Sequence, residues 1–109
     1  AGSNDFREEY LYTVWGDATT FERALTLVLE ATMVTHQEIQ AALQRWDIPY
    51  TWDGLKGALH NLKICSVLKQ DNATFHFVAQ NFPSIARESL DIEMEINALR
   101  REIRREQDL

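Results

Sequence analysis

The run from Thr35 to Phe82 constrains this chain more than any other stretch, because helical periods, turn chemistry and strand periods follow one another there in a fixed order. It opens on Thr35-His36-Gln37-Glu38, a pattern in which an oxygen side chain caps a helix and a glutamate three residues on reaches back to the cap. Ile39, Ala42, Leu43 and Trp46 then recur at helical spacing. Asp47-Ile48-Pro49-Tyr50 breaks the run, since the residue before a proline is pushed out of the helical region. From a second cap at Thr51, Leu55, Leu59 and Leu62 fall on one face, although Gly54 and Gly57 weaken that helix. Two short apolar runs follow, Ser66-Val67-Leu68 and Thr74 to Val78, on either side of the polar tip Gln70-Asp71-Asn72. Phe75 and Phe77 alternate with His76 and Val78, the period of a half-buried strand, and Phe82-Pro83 closes the hairpin.

Helix, turn, helix, hairpin is the order of a winged helix-turn-helix. The expected fold class is therefore mainly α, with a two-stranded β-hairpin wing and a long C-terminal helix. Such a domain either lays its second helix in a DNA groove or docks another protein. Two further helix starts precede this region. Asp5-Phe6-Arg7-Glu8 begins a short helix with Phe6, Tyr10, Leu11 and Val14 on one side, ended by Trp15-Gly16-Asp17. Thr19-Thr20-Phe21-Glu22 begins another, with Phe21, Leu25, Val28 and Leu29 on one stripe. Leu25, Val28, Leu29, Ile39, Leu43, Leu55, Leu59, Leu62, Leu68, Phe75 and Phe77 are the expected core.

The last helix is expected to start at a Ser84 cap and to run from Ile85 to about Gln107. Ile85, Ser89, Ile92, Ile96, Leu99 and Ile103 alternate steps of four and three, as the inner positions of a coiled coil do. A weaker stripe, Ala86, Leu90, Met94 and Ala98, points elsewhere. If one stripe packs on the helix's own domain, the other needs a different cover. Ile92, Ile96, Leu99 and Ile103 are accordingly the expected dimer or partner interface, with Glu95 facing Arg100 of a second copy. The opposing reading is a helix folded back on its own domain. The domain division that follows is 1–4 as a tag-cleavage scar (Ala1-Gly2-Ser3 stands where a Met would be expected), 5–83 as the winged helix-turn-helix, and 84–109 as the C-terminal helix. The native protein is then expected to be longer.

Composition narrows the function more than it defines it. Hydrophobic residues make up 45% and charged residues 26%, the balance of a globular protein with a core. No apolar run approaches the roughly 20 residues of a membrane span, so no membrane partner is expected. The single cysteine, Cys65, cannot form an internal disulfide, which points to the cytoplasm, and it is expected to be buried and inert. No glycine-rich phosphate loop followed by Lys and Ser/Thr is present, and His36, His60 and His76 lie too far apart to read as a zinc motif. The carboxylates Glu88, Asp91, Glu93 and Glu95 sit on a solvated helix, not in a cleft that would tune a catalytic pair. The chain is thus expected to be non-catalytic, with no metal, no cofactor and no small-molecule substrate.

A net charge of −6 opposes non-specific binding to nucleic acid, yet Thr35 to Phe82 is close to neutral, with Arg45, Lys56, Lys63 and Lys69 against Glu38, Asp47, Asp53 and Asp71. With Leu55, Leu59 and Leu62 inward, the outward residues of the second helix include Trp52, Asp53, Lys56, His60 and Lys63. Lys56 and Lys63 would meet phosphates, His60 or Asn61 a base edge, and Lys69 would lie on the wing. Trp52, Lys56, His60, Asn61, Lys63 and Lys69 are therefore the candidate DNA-binding residues. The absence of arginine from that helix and the presence of Asp53 at its start favour protein docking on the same surface.

Two passages carry a family resemblance. Tyr10 to Leu25, with Tyr10-Leu11-Tyr12-Thr13-Val14-Trp15 ahead of Phe21-Glu22-Arg23-Ala24-Leu25, resembles the segment that follows the nucleotide-binding core in AAA-like, signal-transducing P-loop ATPases. Phe75-His76-Phe77-Val78 to Phe82-Pro83-Ser84-Ile85 is similar to the last wing strand and exit of the winged helix that closes such chains. The resemblance implies a winged-helix accessory domain that holds a nucleotide domain or recruits partners. The P-loop and the magnesium-binding acid are absent here, so any ATPase activity would belong to a preceding part of the protein. The C-terminal helix also resembles that of small dimeric winged-helix transcription regulators, which implies DNA binding by a homodimer.

Overall fold

The computed structural model describes residues 15–16, 18–29, 33–89 and 91–107. Within them the chain is mainly helical, with five helices and one small antiparallel sheet: α1 (Thr20–Val28), β1 (Met33–Thr35), α2 (His36–Arg45), α3 (Trp52–Ile64), β2 (Leu68–Asp71), β3 (Thr74–Phe77), α4 (Phe82–Ser89) and α5 (Ile92–Gln107). The helix expected from Asp5 lies outside the described residues, apart from its last position, Trp15.

The helix starts follow their caps. At α1 the Thr19 hydroxyl accepts from the Glu22 N–H while Glu22 accepts from the Thr19 N–H, and Thr35 and Glu38 repeat the exchange at α2. At α3 the Thr51 hydroxyl accepts from the Gly54 N–H at 3.0 Å. The helix ends use a device that the sequence does not advertise. Beyond α2, Ile48 N–H donates to Leu43 O and Asp47 N–H to Gln44 O, with Asp47 at φ 56°. Beyond α3, Val67 N–H donates to Leu62 O and Ser66 N–H to Lys63 O, with Ser66 at φ 62°. Both are Schellman ends, built on residues other than the usual glycine.

The sheet order is β1-β3-β2. Asp71 pairs with Thr74 across the two-residue turn Asn72-Ala73, where Asn72 takes φ 56°, a conformation that asparagine tolerates. The expected two-stranded hairpin is present as β2 and β3, and β1, which was not expected, adds a third strand to the sheet. Met33, Val34 and Thr35 pair with His76, Phe75 and Thr74. Three residues are too few to display a strand period, and Thr35 ends the strand while capping α2.

All eleven expected core residues are buried, and Phe77 stacks on Phe82 with ring centroids 5.1 Å apart. Three corrections concern the C-terminal third. The last helix is two helices, because Asp91 starts a new one by accepting from the Met94 N–H. The first of them starts at Phe82 and not at a Ser84 cap, with Pro83 in the first turn, where a missing N–H leaves no bond unmade. Most importantly, α5 folds back along α1: Thr20 Oγ1 donates to Glu106 Oε1, which places the end of α5 beside the start of α1. Ile96 and Ile103 are buried in the chain's own core, and Ile92 and Leu99 pack against it. Arg100, expected to face a second copy, instead donates to Trp46 O at 2.7 Å and to Asn97 Oδ1. Arg104 binds Asp47, tying α5 to the end of α2. The stripe assigned to dimerisation is therefore consumed within one chain. No helix among the described residues is long and apolar enough to cross a membrane.

Candidate functional site

The outward face of α3 and the adjoining hairpin hold most of the candidate binding residues. Leu55, Ala58, Leu59 and Leu62 turn inward, which leaves Trp52, Lys56, His60 and Lys63 on the opposite side and flank. Trp52 opens the helix and remains about half exposed, at 51%. Its ring is held from one side. His36, the first residue of α2, stands with its centroid 5.4 Å from Trp52 and meets Phe75 edge-on at 5.2 Å. Lys56, one turn along α3, places its ammonium 5.9 Å from the Trp52 centroid, within reach of a cation–π attraction. A large apolar ring thus stands in solvent on a base of buried Phe75 and part-buried His36.

The three lysines are not equivalent. Lys63 Nζ donates to Gln70 Oε1 at 2.8 Å, and Gln70 in turn donates to the Asn72 carbonyl, so this ammonium stitches α3 to the hairpin. Lys69 is exposed on β2 and lies opposite His76, which lies opposite Met33 on β1. Lys69, His76 and Met33 therefore form one row across the outer face of the sheet, and Met33 is itself half exposed. His60 is exposed one turn beyond Lys56.

Asn61 does not join this set. It lies five positions beyond Lys56, about 140° around the helix. Its Nδ2 donates to Glu22 Oε2 at 3.1 Å, on the flank of α3 that faces α1. The expectation that it meets a base edge beside Lys56 is corrected on that ground. Two other expectations also change. Cys65 is exposed, because it sits at the C-cap of α3 beyond the last inward leucine. His36 is no simple surface histidine, being clamped between Trp52 and Phe75. Sequence reasoning missed His36 as the support of Trp52 and Met33 as the neighbour of His76, since both depend on where β1 and the start of α2 lie against β3. The alternation around Phe75 was the one signal that pointed His76 outward.

Among the described residues no group of three or more His, Cys, Asp or Glu side chains is arranged to hold a metal ion. Comparison with protein-family models, curated proteins and solved structures finds no match to this chain.

Proposed function

We propose that this chain is a winged-helix binding module that docks a protein partner through the outer face of α3 and the hairpin, as a regulatory or accessory domain of a larger ATPase-type protein. The observation that carries the docking reading is Trp52. A half-exposed tryptophan backed by packed rings is the kind of anchor around which protein interfaces concentrate their energy. The charge inventory agrees. Lys63 already holds Gln70, Lys56 leans on Trp52, Lys69 lies in the opposite row of the sheet from Gln70, and the chain as a whole carries −6. The helix-turn-helix-hairpin order and the three-stranded sheet are compatible with a winged helix. The ATPase association rests on the resemblance at Tyr10–Leu25 and Phe75–Ile85. In the second passage, Phe77 and Phe82 serve as a stacked core pair.

DNA binding is the second reading, favoured by the placement of Lys56, Lys63 and Lys69 on α3 and the strand it packs against. Titration of the chain with mixed-sequence duplex DNA at low salt separates the two. Protein docking expects no saturable binding. DNA binding expects binding that Lys56→Glu together with Lys63→Glu abolishes. For the larger assembly, the encoding gene should carry a P-loop upstream of this domain, and a start codon directly before Asn4 would overturn that association.

A further inference from the structure

On the opposite flank of α3 lies an open groove of roughly 460 Å³ between the start of α1, the loop before α3 and the end of α5. Its apolar lining comes from Phe21, Pro49, Tyr50, Ala58 and Ile103. Gly57 also lines it, and a Cβ built there would meet nothing within 4 Å. Gly54, Gly57 and Ala58 stand at i, i+3 and i+4, so the α3 wall is low enough for another backbone to approach closely.

Two carboxylates, Glu22 and Glu106, flank this floor. Glu22 is only 6% exposed, and its oxygens are held by the Thr19 N–H and the Asn61 amide, both neutral donors. Glu106 accepts from the Thr20 hydroxyl and belongs to the last turn of α5, where the helix dipole is negative and a carboxylate is disfavoured. The arginines of that turn are turned away, Arg104 onto Asp47 and Arg105 beside Arg101 and Glu102 on another surface. Among the described residues no cation is paired with either acid. A carboxylate buried without a cation, a second acid at the negative end of a helix, and an apolar floor between them define what would fit.

We propose that this groove docks an amphipathic helix of a protein partner, with apolar side chains over Gly57 and Ala58 and a lysine or arginine between Glu22 and Glu106. The site is separate from the Trp52 surface and does not depend on the function proposed for it.

The test uses ¹⁵N-labelled full chain titrated with a synthetic helical peptide bearing a leucine stripe flanked by lysines, and with its twin in which glutamates replace the lysines. The lysine peptide should produce saturable amide shifts at Gly54, Gly57 and Asn61, and the glutamate twin none. Gly57→Leu should abolish those shifts while keeping native amide dispersion, since the leucine grows into open space. Glu106→Gln, an exposed change, should weaken binding by roughly tenfold, the loss of one good charged contact. Trp52→Ala and Lys56→Glu should leave the titration unchanged. The proposal is overturned if both peptides bind alike, if neither shifts these amides, or if Gly57→Leu has no effect. It is equally overturned if the chain self-associates and Gly57→Leu makes it monomeric, which would give the groove to a second copy.

Discussion

Ser66 and Asp47 show how a single backbone position shapes this fold. Each takes a positive φ directly after a helix, where an L-residue pays about 1–2 kcal/mol that glycine does not. At Ser66 the conformation is required by two bonds, its own N–H to Lys63 O and that of Val67 to Leu62 O, which together turn α3 into the hairpin. Ser66→Gly should therefore stabilise the fold by about 0.5–1 kcal/mol, the relief of strain less the larger unfolded-state entropy of glycine. Ser66→Val should destabilise it, since a branched Cβ is worst in that region. Urea titrations of the two variants check this, and equal midpoints would contradict it. Core packing sets a larger scale: Leu59, almost fully buried, should cost about 2–5 kcal/mol on truncation to alanine.

At the scale of elements, α5 decides what the molecule presents. Its buried isoleucines face α1, and its arginines reach the turn between α2 and α3. Ile96→Ala should cost about 2–5 kcal/mol, whereas Met94→Glu, on the exposed side, should stay within about 0.5 kcal/mol of the parent in the same unfolding measurement. A dimer-forming stripe would instead leave the monomer folded after Ile96→Ala. This contrast marks the limit of what the sequence reveals. Caps at Thr19, Thr35 and Thr51 are local chemistry, so the helix starts were legible, as were the inward faces from Leu25 to Phe77. Whether the Ile92–Ile103 stripe meets α1 or another chain is not local, because both partners present the same apolar pattern. The short strand at Met33 was invisible for a related reason, since its only identity is its pairing with Phe75 and its neighbours. The candidate site was half legible: the outward side chains of α3 followed from its period, but His36 beneath Trp52, and Asn61 turned toward Glu22, depend on neighbouring elements.

At the scale of the whole molecule, two outcomes follow from surface and charge. With Ile96 and Ile103 consumed internally, the chain should sediment as a monomer at tens of micromolar; a dimer there would mean that the remaining exposed apolar residues, such as Ile64 and Val78, form an interface. Electrostatics sets the second. A protein that displaces counterions from duplex DNA loses affinity with a log–log slope of about −0.9 per phosphate neutralised. Lys56 and Lys63 on α3 and Lys69 on β2 are the cations these elements offer, so a single copy using all three should show a slope no steeper than about −3, or a roughly 40-fold loss between about 50 and 200 mM salt. Acquiring even that slope requires Lys63 to leave Gln70, and the net charge of −6 repels the approaching backbone at every distance the salt does not screen. The expected outcome is no measurable association at physiological salt, read by fluorescence anisotropy of a labelled duplex across a salt series. A slope clearly steeper than −3 would require cations beyond these three, and would move the nucleic-acid reading from α3 to the arginines of α5.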